Sequence, residues 1–157
     1  LVSLKLASTD KERQDAFAVR RTVFVEEQGV PLHIELDEGD ETAVHFIAYD
    51  GEQPIAAGRI RDIGEGTGKV ERVCVLPEYR GKRLGQRMMV MLEDHARGVG
   101  LSKIRLNAQS HAQEFYKKIG YTVTSPEFLD AGIPHRAMEK SLEPAEQSAH
   151  AATDEQL

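Results

Sequence analysis

The sequence contains no tryptophan and a single cysteine, Cys74. One thiol excludes an internal disulfide and suits a reducing compartment, so a cytoplasmic protein is expected. No apolar run approaches the roughly 20 residues that a membrane-spanning helix needs. The N-terminal LVSLKLASTD lacks the basic, apolar and cleavage regions of a secretion signal. Positive charge is also in short supply. Against 26 Asp and Glu stand 20 Lys and Arg, giving a formal net charge of -6. That balance argues against the broad basic surface of a nucleic-acid binder. His33, His45, His95 and His111 show no zinc-ligand spacing, and the acidic run Glu35, Asp37, Glu38, Asp40, Glu41 does not follow a calcium-loop pattern. No metal is expected.

What remains is an ordinary globular composition. The 157 residues are 40% apolar, enough for one domain with its own core. That domain is expected over residues 1–142. The segment 143–157 has few large apolar side chains and is expected to be a loosely ordered tail.

Periodicity sets the element order. Val2 to Leu6 alternates apolar and polar residues, which predicts a strand. Thr9 and Glu12 have capping-box spacing and open a helix whose apolar face is Ala16, Phe17, Val19, Val23 and Phe24. Gly29 and Pro31 stop it after Glu27. The acidic stretch His33 to Thr42 is expected to be a solvated loop, with attraction of a cationic amine as the alternative. Strands are predicted over Val44 to Tyr49 and Ile55 to Ile63, around an Asp50-Gly51 turn. A further strand, Lys69 to Leu76, ends at Pro77. A helix from about Arg83 to Arg97 carries Leu84, Met88, Met89, Leu92 and Ala96 at helical spacing, and Gly98 and Gly100 close it. Then come a strand over Lys103 to Asn107 and a helix through Ile119, which Ser110 and Gln113 open as a second capping box. The last strands are Tyr121 to Thr124 and His135 to Leu142. This mixture is an α/β sheet covered by helices.

The most informative stretch is VERVCVLPEYRGKRLGQRMM, residues 70–89. It reads as a strand, a tight basic loop and a helix N-terminus. Such a terminus offers unpaired N–H groups and the positive end of the helix dipole, which together make an anion site. Gly81 and Gly85 allow close backbone approach, while Arg80, Lys82, Arg83 and Arg87 add charge. Two other phosphate motifs fail. A P-loop would need a glycine at Ile63 and a hydroxyl residue at Val70. Gly64, Gly66 and Gly68 have the wrong spacing for a dinucleotide fold.

The segment resembles motif A of the GCN5-related N-acetyltransferases (GNAT), Gln/Arg-x-x-Gly-x-Gly/Ala after a strand ending in V-x-P style. Arg80 takes the first position and Gly85 the last, and Arg83 stands where the family most often has glycine. The element order over residues 2–142 agrees as well. The resemblance implies a GNAT fold: a mixed central sheet of six or seven strands flanked by about four helices, with a splayed strand pair at the cofactor cleft. It implies acetyl-CoA as cosubstrate. The amides of Arg80, Gly81, Lys82, Arg83, Leu84 and Gly85 would hold its pyrophosphate. The backbone at Cys74 and Val75 would pair with the pantetheine arm, and Asn107 and Tyr116 would line the same cleft.

The activity implied is direct acetyl transfer, in a ternary complex, to the amine of a small molecule. Such a reaction needs a base to take the amine proton and an acid for the departing thiolate. Tyr116, within AQEFYKKIGY, matches a tyrosine common in the family and is the expected acid. His135, in GIPHRAMEK, resembles the base of a subgroup that includes the glyphosate N-acetyltransferases; imidazole is suited to accept a proton near neutrality. Glu71 is the rival base, on the reading that it shares a side of its strand with Val73 and Val75, and Glu26 and Glu27 follow. Arg72 matches one of the arginines that grip anionic substrate groups in those relatives. Val25 and Gln109 replace two others, so Arg21 or Arg20 would have to compensate. Arg72, Arg21 and Glu26 are the expected substrate contacts. Cys74 is expected to be packed and not nucleophilic. Neither nucleic acid nor membrane is an expected partner, and a homodimer is left open. The alternative functions are a catalytically silent CoA-binding sensor or partner module on the same fold, and an acyl transferase using another chain, as in acyl-homoserine lactone synthases.

Overall fold

The computed structural model describes residues 1–143, so the expected tail lies outside the described residues apart from Glu143. The strands are β1 (Val2–Leu6), β2 (Val44–Asp50), β3 (Gln53–Gly64), β4 (Thr67–Val75), β5 (Lys103–Gln109), β6 (Thr122–Val123), β7 (Phe128–Asp130) and β8 (Ile133–Ser141). They form one mixed sheet in the order β1-β2-β3-β4-β5-β8-β6, with β7 paired to β8. The helices are α1 (Asp10–Arg20), α2 (Leu32–Glu35), α3 (Gly39–Thr42), α4 (Leu84–Gly98) and α5 (Gln113–Lys118). No helix among the described residues is long and apolar enough to cross a membrane.

Alternation along the strands places α1 and α4 on opposite faces. Ile47, Ala57, Cys74 and Leu76 are buried with Ala16, Val19 and Val23 from the α1 side. Phe46, Ala48, Ile60, Val70, Ile104, Leu106 and Met138 are buried with Met88, Met89 and Leu92 of α4. The α1 capping box forms as the sequence predicts. The Glu12 N–H donates to Thr9 Oγ1 at 3.1 Å, and the Thr9 N–H donates to Glu12 Oε1 at 3.2 Å.

Four local expectations need correction. The sheet has an eighth strand, β7, whose three residues are too few to show a period. The first helix reaches Glu27 only as a π-helical segment, Arg21–Glu27. Ser110 does not cap α5: a 3₁₀ turn over Ser110–Ala112 intervenes, and the Ser110 hydroxyl donates to Glu127 at 2.8 Å. The acidic stretch is not a solvated loop. It forms α2 and α3, and Glu35 is only 1% exposed.

Two departures from regular pairing shape the sheet centre. The parallel β4–β5 ladder runs only through Thr67–Lys103, Gly68–Ile104 and Lys69–Arg105. Beyond it the strands part, giving the splayed pair. On its other edge β4 carries a bulge. Ala57 faces Cys74 and Arg59 faces Glu71, so Arg72 and Val73 together oppose Gly58. Arg72 adopts a left-handed backbone, φ 59°.

Candidate active site

The splay opens a cleft of about 530 Å³. One wall is β4 from Lys69 to Val75; the other is Leu106 to Gln109 of β5, with Phe115 and Tyr116 of α5 and His135 of β8. At one end it adjoins a hollow of about 350 Å³ at the start of α4, with Val75, Arg80 and Phe115 common to both. At the other end it adjoins a recess bordered by Phe24, Val30, Ile34, Glu35, Ile133 and His135.

The hollow at α4 is built from backbone. Gly81 (φ 81°) and Arg83 (φ 63°) are left-handed, and α4 begins directly after Arg83. Glycine enters that region without steric cost, whereas Arg83 does so against its Cβ. The first backbone bond of the helix is from the Arg87 N–H to Arg83 O, 3.0 Å. The preceding N–H groups, Gly81 to Gln86, have no acceptor among the described residues. A run of donors at the positive end of a helix is the arrangement a diphosphate requires. The Arg80 side chain does not add free charge here. Its Nη1 and Nη2 donate to Glu27 at 2.8 and 2.7 Å, and its Nε donates to Val75 O at 3.0 Å. Lys82 lies over the Tyr79 ring, 5.3 Å from its centre.

The β4 wall offers a second set of backbone groups. The Leu76 N–H donates to Ile55 O at 2.9 Å, with Val75 opposite Ala56 and Cys74 opposite Ala57. In an antiparallel ladder the bonded pairs alternate. Cys74 therefore turns its N–H and C=O toward β3, and Val75 turns its own toward the cleft. Of the expected pair, only Val75 presents its backbone to a ligand. The second outward group is the Val73 N–H, and the bulge is what turns it outward. Sequence reasoning missed Val73, because no glycine marks the bulge. The Cys74 side chain is buried, and burial pushes its thiol up to about 12, which makes it a poor nucleophile.

The candidate acid and bases occupy different settings. Tyr116 lines the cleft, and its hydroxyl has no hydrogen-bond partner among the described residues. Burial, with a smaller contribution from Cys74, pushes the phenol up to about 12, so it stays protonated. His135 lines both the cleft and the recess. Its Nδ1 lies 2.6 Å from Ile133 O. Donation to that carbonyl leaves Nε2 as the accepting nitrogen of the neutral ring. Asn107 lines the same cleft. Glu71 differs. The bulge separates it from Val73, so the two residues point to opposite faces, contrary to the sequence expectation. Arg59 Nη2 (3.0 Å), Arg61 Nε (2.7 Å) and Lys69 Nζ (3.5 Å) surround its carboxylate. Burial would raise Glu71, but the Arg61 hydrogen bond and these charges hold it below the usual carboxylate range. Such a group accepts protons poorly.

The expected substrate contacts mostly fail to converge. Arg21 and Glu26 are exposed on the π-helical segment and border none of the three hollows. Arg72 does border the cleft, but its guanidinium meets Glu35 Oε2 at 2.8 Å and Asp37 Oδ2 at 3.1 Å. Arg20, offered with Arg21 as a compensating substrate contact, is 1% exposed and pairs with Glu35 at 3.0 Å and Asp40 at 2.6 Å. Arg59 is equally buried and pairs with Asp37 (2.8 Å), Asp40 (2.6 Å) and Glu71. The acidic stretch is thus the anionic half of an ion network beneath the cleft. Burial raises Asp40, yet the Arg20 and Arg59 contacts outweigh it and bring the group down to about 2. For Glu35 burial prevails over Arg20 and Arg72, and its carboxyl is raised. A further missed feature is a reciprocal amide pair between two residues that line the cleft, with Gln109 Nε2 donating to Gln28 Oε1 at 2.8 Å.

Comparison with known proteins gives a consistent result. Residues 9–142 match the family model described as an acetyltransferase (GNAT) domain. The chain is 48% identical over 136 residues to YjcF of Bacillus subtilis (strain 168), an uncharacterised N-acetyltransferase; the match covers 86% of this chain and 96% of that one. An acyl-CoA N-acyltransferase structure from Pseudomonas aeruginosa superimposes with a TM-score of 0.79 at 29% identity, covering 89% of this chain and 98% of that one. An aminoglycoside 6'-N-acetyltransferase solved with coenzyme A shares the fold, with a TM-score of 0.73 at 16% identity over 92% of this chain and 98% of that one.

Proposed function

This chain belongs to the GNAT acetyltransferase family and transfers an acyl group from a coenzyme A thioester to an amine, and from that premise we propose acetyl-CoA as the donor and a small-molecule amine as the acceptor. The observation that carries the proposal is the run of unpartnered amides from Gly81 to Gln86, opening onto the splay where Val75 presents its backbone. The first feature suits a diphosphate and the second an extended amide-bearing arm laid along β4 as an added strand. An acetyl thioester at the end of that arm lies beside Val73, Tyr116 and Asn107.

Transfer is direct, within a ternary complex, because the buried Cys74 thiol is unsuited to carry the acyl group. The acceptor enters from the recess side. His135 Nε2 takes its proton, and the neutral amine attacks the thioester carbon. The Val73 N–H polarises the carbonyl oxygen as charge develops there. Tyr116, held protonated, donates to the departing thiolate. Glu71 is set aside as base because three cations hold its charge. The catalytic domain is assigned to residues 1–142, and a cytoplasmic location fits its one buried thiol.

Calorimetry with acetyl-CoA and CoA is expected to show binding in the micromolar class. Thiol release over a panel of primary amines should then reveal turnover. Binding without any turnover would support the silent sensor instead; no binding at all would end the proposal. His135→Ala should remove the rise of kcat/KM with pH, and an unchanged profile would take the base role away from it.

A further inference from the structure

Within β4 only Arg72 has a left-handed backbone, φ 59°, a region that non-glycine residues enter at a steric cost. Its guanidinium is gripped by one short segment. Nε donates to Glu35 O at 3.2 Å and lies 2.8 Å from Glu35 Oε2. Nη2 donates to Ile34 O at 3.3 Å and to Asp37 Oδ2 at 3.1 Å. The grip is itself anchored. Arg20 Nη2 donates to Glu35 O at 3.0 Å, and Arg59 Nη1 donates to Asp37 Oδ1 at 2.8 Å.

The register shows what the grip protects. With Arg72 and Val73 sharing the place opposite Gly58, Cys74 bonds to Ala57 and the Val73 N–H faces the cleft. Without the extra residue, Val73 would stand opposite Ala57, and alternation would turn its N–H into β3. One backbone angle thus decides whether the cleft holds a donor beside the thioester.

We propose that the Ile34–Asp37 segment clamps Arg72 in its left-handed conformation and thereby aims the Val73 N–H, which makes Arg72 a positioning residue and not an anchor for an acidic acceptor. The inference rests on reading the cleft as an acyl-transfer site. It also bears on the acceptor: two carboxylates already balance Arg72, so the enzyme favours an amine whose recognition needs no anionic group.

Glycine separates the two roles, since it adopts positive φ without a clamp. Kinetics with acetyl-CoA and either benzylamine or L-glutamate would compare Arg72→Gly, Arg72→Ala and Arg72→Lys. The Val73 amide resonance of the ligand-free protein gives a second readout. Losing one oxyanion donor lowers kcat by about 100-fold, so Arg72→Ala is expected to fall at least about tenfold with acceptor KM little changed. Arg72→Gly should recover most of that loss and keep the Val73 resonance in place, while Arg72→Ala shifts it. If Arg72→Ala does not fold, Arg72→Lys, which keeps charge but loses the fork, takes its place in the comparison. Equal impairment of the glycine and alanine variants would overturn the clamp. So would a raised KM for L-glutamate alone with kcat intact. If the unsubstituted protein acetylates neither amine, the resonance comparison still decides the clamp, and only the reading of these acceptors is lost.

Discussion

The two ends of the cleft treat polarity in opposite ways. At the α4 end, successive backbone amides are left without acceptors among the described residues. At the Arg72 end, Arg20, Arg59, Arg61 and Arg72 are all matched by Glu35, Asp37, Asp40 and Glu71. Open donors at the surface are tolerable because water satisfies them until an anion arrives. Buried guanidinium groups have no such substitute, so their partners must come from the chain. The difference teaches that a charged residue beside a cleft is not thereby a ligand contact. The α4 end recognises with backbone, and the arginine end mostly holds itself together.

The contrast can be tested from its strongest consequence down. Arg59→Ala takes one cation from each of Asp37, Asp40 and Glu71, the last two largely buried, and is expected to destabilise the fold by about 3 kcal/mol, read as a lowered denaturant midpoint. A loss below about 1 kcal/mol, the scale of an exposed pair, would show the network to be solvated after all. Tyr116→Phe comes next. It should lower kcat by about 100-fold, the low end of general acid catalysis, while CoA affinity in calorimetry stays the same; equal losses in both would make Tyr116 a packing residue. Third, Asp40 is depressed to about 2 in the fold. Its contribution is therefore fully present above the ordinary aspartate range and fades as pH falls through that value. About 2 kcal/mol of stability should disappear between about pH 4 and pH 2, and Asp40→Asn should flatten that part of a stability–pH curve. Smallest is Arg83→Gly. Relief of the left-handed backbone, offset by greater freedom of the unfolded chain, should stabilise the protein by about 0.5 kcal/mol, with CoA binding altered only slightly. A large loss of CoA affinity would assign the Arg83 side chain to the phosphates.

Much of the fold could be read in advance, because its long elements carry strong periods. The α1 capping box, the α4 apolar face and the β4–loop–α4 unit all lie where Thr9, Met88 and Gly85 place them. The short pieces could not be read. β7 has three residues, and the turn after Ser110 competes with the cap that its side chain could have made. At the site, residues attached to regular elements were legible, including Tyr116, His135 and Asn107 lining one cleft. The bulge was not, since an arginine gives no sign of positive φ. The ion network left one trace: Arg20 falls on the apolar face of α1 with Ala16 and Val23, and Arg59 interrupts the buried run from Ile55 to Ile60. Without weight given to those two positions, the partners of the acidic stretch stayed concealed.

The buried arginines also constrain how the molecule assembles. Neither Arg20 nor Arg59 can leave water before its carboxylates arrive, and, Glu71 of β4 apart, those come from α2, α3 and the turn between them, segments with few apolar residues of their own. Docking of residues 32–42 and closure of the sheet against α1 must therefore occur in one cooperative step. Local fraying on that side would expose a charge cluster, and the recess at its edge should resist hydrogen exchange as long as the global fold persists.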